Sequence, residues 1–351
     1  MGFGIYARLT QLRRAWYGRP GRQKHLNQPV ISVGNLSMGG SGKTPVVAAL
    51  ARLLRQRGER PAILTRGYGR RDTTEGVLVV SDGQRVLQPV ERSGDEPQLL
   101  ARTLSGVPVL VSANRYLAGA FAERQLGASI TILDDGFQHV LLARDVDLLV
   151  MSPADLHDRV VPAGRLREPL TAAQLADALL VSGTMDDVSN VASTLGHSTA
   201  FQVVQRYASQ SSVGRALSGA PGEPGRTRPT GERIIAFAGI ARPERFFNAL
   251  RSLGYDVVRE LTFRDHHWYT KSDIQMIQAA ARDVNAIIVT TEKDAVRCEL
   301  DCTVLPMTVD IEPADEFAQW LIGRLWPNRR RETDDTATGA EHMHGNAGSA
   351  E

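Results

Sequence analysis

The segment Gly39-Gly-Ser-Gly-Lys-Thr44 follows the apolar run Val30–Val33 after five intervening residues and precedes a helix-like stretch opening at Pro45. Glycines let backbone N–H groups turn inward around phosphate oxygens, and the helix behind them adds its positive end. In such a loop Ser37, Met38, Gly39, Gly40, Ser41 and Gly42 wrap the phosphates, Lys43 reaches the β- and γ-phosphates, and the Thr44 hydroxyl ligates Mg²⁺. The strict pattern asks for glycine where this chain has Ser37; Gly39 and Gly40 supply that freedom instead. A nucleotide loop of this kind needs a carboxylate at the end of another buried strand, and Ile130-Thr-Ile-Leu-Asp-Asp135 offers two, Asp134 and Asp135.

Three further polar segments stand after apolar runs, where catalytic loops belong. Thr65–Arg71 is cationic and glycine-rich, suited to a phosphorylated substrate. Ser93-Gly-Asp-Glu-Pro97 sets an acidic pair at a helix mouth, where Asp95 by itself reads as a cap. Asp265-His-His267 by itself reads as structural.

The elements that must position these residues alternate. Apolar runs at Val30–Val33, Ala62–Thr65, Val77–Val80, Val107–Val111, Ile130–Leu133, Val146–Met151 and Ala178–Val181 are separated in several places by helix-like segments at Pro45–Gln56, Glu96–Leu104 and Arg115–Gln125. That pattern predicts a P-loop NTPase-like α/β fold, a mainly parallel sheet with helices on both faces, over residues 29–206. Residues 207–232 are rich in Gly, Pro, Ser and Arg and read as a linker. The alternation resumes over 233–327 as a second, smaller α/β domain, with Val304–Val309 as one of its strands. Residues 328–351 are small and polar and read as a disordered tail, in which His342 and His344 are solvated.

Residues 1–28 carry Arg8, Arg13, Arg14, Arg19, Arg22 and Lys24 and no acid. Ile5, Leu9, Leu12 and Trp16 fall at helical spacing on one narrow face. Such a helix lies on an anionic membrane or packs on the protein's own body, and the residues alone leave both open.

Composition narrows the classes. The chain has 351 residues, 41 basic against 39 acidic, and a net charge of +2, so no global field points to nucleic acid. Cys298 and Cys302 lack the partners of a structural zinc site and read as ordinary thiols of a reducing compartment. No run is long enough to span a membrane and no secretory signal is evident, which predicts folding in the cytoplasm.

As an ordered set these motifs resemble the tetraacyldisaccharide 4′-kinase family, the lipid A 4′-kinases of bacteria with a lipopolysaccharide outer membrane. The resemblance rests on Val33-Gly-Asn35 with Gly39–Pro45, Arg66-Gly-Tyr-Gly69, Gly94-Asp-Glu-Pro97, Leu133–His139, Pro162–Pro169, Phe263-Arg-Asp-His266 and Thr291-Glu-Lys-Asp294. It implies transfer of the ATP γ-phosphoryl to the 4′-hydroxyl of a tetraacyl glucosamine disaccharide 1-phosphate, giving lipid IVA, at the cytoplasmic face of the inner membrane. It implies Asp95 as the catalytic carboxylate paired with His266, with Lys43 acting on the phosphates. Thr44, Asp134, Asp135 and Glu168 would hold Mg²⁺, and Arg66, Tyr68, Glu96, Arg115, Gln138 and His139 would line the substrate cleft. A four-chain lipid stays in its bilayer, which favours the interfacial reading of the N-terminal helix. The alternative from another class is a nucleotide-switched membrane-partitioning ATPase, which carries a lysine where this chain has Met38.

Overall fold

The structure, a computed structural model, describes residues 5–17, 19–39, 42–68, 70–71, 76–207 and 231–327. Helix α1 (Ile5–Tyr17) leads into β1 (Val30–Gly34), α2 (Lys43–Gln56), β2 (Pro61–Thr65) and β3 (Leu78–Ser81). Then come α3 (Val90–Ser93), α4 (Asp95–Thr103), β4 (Val109–Val111), α5 (Arg115–Leu126), β5 (Ile130–Asp134), β6 (Val146–Met151) and β7 (Ala178–Ser182). After α6 (Met185–Leu195) and β8 (Ala200–Tyr207), a second run holds β9 (Arg233–Ala238), α7 (Pro243–Ser252), β10 (Asp256–Thr262), α8 (Lys271–Asp283), β11 (Ile287–Thr291), α9 (Glu292–Ala295) and β12 (Thr303–Leu305). The last elements are β13 (Met307–Glu312) and α10 (Ala314–Leu325).

Nine strands form one sheet in the order β13-β8-β7-β6-β1-β5-β2-β4-β3. Its seven inner strands run parallel, and β3 and β13 close the two edges antiparallel. The central strands β1, β2 and β5 are buried along their whole length, which is why they read as unbroken apolar runs. Side chains of α2, α4 and α10 cover one face, and α5 and α6 cover the other. A second sheet, β10-β9-β11-β12, is wholly parallel, with α7 on one face and α8 on the other.

Two expectations need correction. Val304–Val309 is not one strand: the chain breaks at Pro306, β12 pairs with β11 in the small sheet, and β13 pairs with β8 in the large one. The smaller unit therefore does not run to 327. Val309, Ile311, Phe317, Leu321 and Leu325 join the core of the large sheet, where Phe201 of β8 meets Phe317 edge-on at 5.1 Å. The predicted linker begins one residue early, since Tyr207 still belongs to β8; most of that linker, 208–230, and the predicted tail lie outside the described residues.

Candidate active site

Parallel α/β sheets gather their loops at the carboxyl ends of the strands, and ligands bind where neighbouring connections diverge. Here β1 lies between β5 and β6, and the loop leaving β1 enters α2 through Gly42 in a left-handed turn, φ 81°. Lys43 is the first residue of α2. Its Nζ lies 2.8 Å from Asn35 Oδ1 and 3.2 Å from Asp135 Oδ1. Gly40 and Ser41, both expected at the phosphates, lie outside the described residues.

Ser37 and Met38 are placed differently from expectation. Ser37 is buried, its hydroxyl accepts from Asn35 Nδ2, and its backbone bridges to Leu166; Met38 N–H donates to the Arg165 carbonyl at 2.7 Å. Both tie the root of the loop to the segment 165–167.

Asp134 ends β5 and is 2% exposed. Burial, with the neighbouring charges of Glu96 and Asp135, pushes its carboxyl up to about 7, against the pull of Lys43 and a Thr65 hydrogen bond. Asp135 follows in a left-handed conformation, φ 53°, rare for a residue with a side chain. Burial works to raise its pKa too, but the charges and hydrogen bonds of Lys43 and Arg167 outweigh it and hold the group low. A carboxyl raised by burial and by adjoining carboxylates, one residue from an ionised one and near Lys43, has the chemistry of a donor to a divalent cation.

Glu168 does not join that set. Its two oxygens take the Arg14 guanidinium at 2.8 and 3.0 Å, and Gln138 donates to it at 3.0 Å. Among the described residues no group of three or more His, Cys, Asp or Glu is arranged to hold a metal.

Across the cleft, Gly94 takes φ 88°, and a Cβ there would stand 2.8 Å from the Tyr68 carbonyl, so the 66–71 loop packs closely on the mouth of α4. Asp95 is the first residue of α4, after the N-cap Gly94, and its Oδ1 accepts the Glu96 N–H of the first turn at 3.0 Å. Its Oδ2 meets His266 Nδ1 at 2.8 Å, Arg297 Nη1 at 3.5 Å and Lys293 Nζ at 3.8 Å. Burial raises its pKa, yet the His266 hydrogen bond and the charges of Lys293, His266 and Arg297 together bring it below the ordinary value. An ionised carboxylate only accepts, so His266 Nδ1 carries the proton between them. His266 also has a left-handed backbone, φ 58°. His267 turns away, bonding Asp273 in the first turn of α8 at 3.0 Å and stacking on Phe263.

Of the remaining cleft residues, Tyr68 and Glu96 stand beside this pair. Tyr68 is exposed with its ring edge-on to His266 at 5.7 Å, and Arg71 lies 4.2 Å from the Trp268 ring, so the cationic loop spans both units. Glu96 accepts from Lys293 Nζ at 3.1 Å. Arg66 is exposed. Arg115 is buried at the start of α5, which drives its pKa down to about 10. Partial burial, with the charges of Arg115, Arg13, Arg144 and Arg66, pushes His139 down to about 4, so it stays neutral; its Nε2 finds no partner among the described residues.

Sequence reasoning assigned no role to Asn35, Arg167, Lys293 or Arg297. The first three sit inside the matched motifs, and Arg297 lies one helical step beyond the last, so the signal was present and unused.

The family model for tetraacyldisaccharide-1-P 4′-kinase matches residues 3–325. The curated tetraacyldisaccharide 4′-kinase of Geobacter metallireducens is 41% identical over 302 residues, covering 83% of this chain and 85% of that protein. The one from Desulfotalea psychrophila is 39% identical over 309 residues, covering 86% and 88%. The crystal structure of LpxK from Aquifex aeolicus in complex with ATP superposes with a TM-score of 0.74 at 33% identity, covering 92% of this chain and 96% of that one. With the phosphate loop, the acidic strand end and the two-sheet cleft all in place, this chain belongs to the tetraacyldisaccharide 4′-kinase family.

Proposed function

We propose that this chain transfers the γ-phosphoryl group of ATP to the 4′-hydroxyl of a tetraacyldisaccharide 1-phosphate, with Asp95 taking the hydroxyl proton. The observation that carries this reading is the 2.8 Å contact between Asp95, at the start of α4, and His266, in the loop after β10 of the second sheet. As the new P–O bond forms and the bond to the β-phosphate oxygen breaks, the hydroxyl proton passes to the Asp95 carboxylate. His266 Nδ1–H holds that carboxylate in line, while Lys293 and Arg297 keep it ionised until the proton arrives. Lys43 balances charge growing on the transferred group. Thr44, Asp134 and Asp135 would hold Mg²⁺, which supplies charge neutralisation on the β- and γ-oxygens when bound. Arg66 and Arg115 offer cations for the substrate's phosphate, and Tyr68 an exposed ring at the mouth of the cleft.

The place of action is a lipid surface, the cytoplasmic face of an inner membrane. Leu12 and Trp16, one turn apart on α1, are 65% and 48% exposed rather than packed on the body, which supports the interfacial reading. No helix among the described residues is long and apolar enough to cross a membrane. Arg14 departs from this reading, since it turns inward to Glu168. The test is transfer of radiolabelled phosphate from ATP to the lipid disaccharide by the purified protein. Nucleotide hydrolysis without a phosphorylated lipid would favour the membrane-partitioning ATPase instead.

A further inference from the structure

The inward side of α1 makes contacts that a helix merely lying on a surface has no use for. Arg14 stands two residues from both Leu12 and Trp16, hence on the far side of the helix from that exposed pair. Its Nε donates to Glu168 Oε2 at 2.8 Å; its Nη2 donates to Glu168 Oε1 at 3.0 Å and to the Phe137 carbonyl at 2.9 Å. The guanidinium also lies 4.3 Å from the Phe137 ring centroid. Glu168 is 1% exposed, and a carboxylate so deeply buried depends on its cation.

The hydrogen bonds continue from there to the phosphate loop. Gln138 Nε2 donates to Glu168 Oε1 and to the Asn35 carbonyl, both at 3.0 Å, which fixes the orientation of its amide. Its Oε1 accepts from Arg167 Nη1 at 3.1 Å, and the same nitrogen spans both oxygens of Asp135 at 3.0 and 2.9 Å. Asp135 and Asn35 both hold Lys43.

We propose that Arg14 is a positioning residue for phosphoryl transfer. Through Glu168, Gln138 and Arg167 it sets the Asp135 carboxylate and the Lys43 ammonium, so the phosphate end of the cleft is correctly arranged only while α1 is seated. This rests on the kinase reading above. It gives α1 two jobs on opposite sides: Leu12 and Trp16 meet lipid, and Arg14 reports the seating of the helix to the site.

The test compares full-length Arg14→Gln, Arg14→Lys, Arg19→Gln and Glu168→Gln with the parent, using detergent-dispersed lipid disaccharide and ATP. Arg19→Gln removes the same charge from the same basic N-terminal segment, at an exposed residue outside the Glu168 chain of hydrogen bonds. Loss of a supporting hydrogen bond behind such a site costs about 10–100-fold, and that is the expected fall in kcat for Arg14→Gln. Arg14→Lys should recover part of it, and Arg19→Gln should match the parent. The rise in Tm on adding Mg²⁺ and ADP should shrink in Arg14→Gln and persist in Arg19→Gln. Adding Arg14→Gln to Glu168→Gln should cost little more.

Parental kcat and a parental Tm response in Arg14→Gln overturn the proposal. So does a loss seen on vesicles and absent in detergent, which would make Arg14 an anchor only, and so do fully multiplicative losses with Glu168→Gln. If Arg14→Gln does not fold, Arg14→Lys decides through the same Tm response. A parent that never phosphorylates the lipid sinks the kinase reading, a separate result.

Discussion

Asp95 and Asp134 are hidden to the same degree, 3% and 2% exposed, and face one cleft, yet their surroundings pull them in opposite directions. Asp95 is met by His266, Lys293 and Arg297, all from the second unit, and is held ionised. Asp134 is met by Glu96 and Asp135 and is pushed up to about 7, with Lys43 too weak an opponent to restore it. Burial alone therefore does not assign a carboxylate its task; the sign of its neighbours does. One acid has its cations built into the fold and is ready to take a proton. The other has a surplus of negative charge around it and fits a cation brought from outside.

The severest way to break this comparison is to remove the prepared acid. Asp95→Ala should lower kcat by about 10²–10⁴-fold, the usual worth of a positioned proton acceptor, while nucleotide binding survives. His266→Ala should lower it by a similar or smaller factor. The double variant should cost little beyond the worse single one, since the second change strikes a unit already broken. Multiplicative losses in steady-state kinetics would separate the two residues, and equal damage from His267→Ala would name the wrong histidine.

Next in size is Lys43→Ala, expected to lower turnover by about 10²–10³-fold because the transferring group loses its fixed cation. Near-normal turnover would falsify the phosphate-loop assignment.

A smaller effect sharpens the contrast through pH. Asp134 binds its proton more tightly folded than unfolded, where the value is about 3.9, so its contribution to stability falls as pH rises from about 4 to about 7. Asp95 has the opposite sign: its contribution is full above the unfolded value and is lost as pH falls through its depressed folded one. Asp134→Asn should therefore raise Tm at about pH 8 and change it little at about pH 5, whereas Asp95→Asn should lower Tm at about pH 8. Thermal melts across pH check both, and a rise for both variants would mean their neighbours do not set the difference.

The smallest effect lies farthest from the cleft. Binding to anionic vesicles should weaken with salt and, in Arg8→Gln/Arg13→Gln, by about 1 kcal/mol per charge removed. Flotation that ignores both changes would detach α1 from the membrane and leave the two carboxylates undisturbed.

What was legible in the sequence follows from how local each feature is. The phosphate loop and the Asp134-Asp135 strand end are single segments, and buried parallel strands announce themselves as apolar runs. Strand β8 went unread because it alternates near the sheet edge and none of its last four residues is buried. The split at Pro306 was unreadable for a different reason: both halves of 304–309 are apolar, and only long-range pairing decides which sheet each joins. The bond between Arg14 and Glu168 spans 154 positions, and nothing local distinguishes Arg14 from Arg13 beside it. The pairing of Asp95 with His266 spans 171 positions and was reached through the family resemblance rather than through the residues themselves.

The antiparallel pairing of β8 with β13 has a consequence for how the protein is made. The ribosome releases the chain from its N-terminus, and domains fold as units while it emerges. The large sheet lacks its last strand, and its core lacks Phe317, Leu321 and Leu325, until nearly the whole described chain is out. The small sheet, closed by β12 at Leu305, is complete before that. The part that supplies His266 is finished first and hangs from the unclosed edge of the part that supplies Lys43, so arrested synthesis near residue 306 should leave a folded cap on an unfinished base.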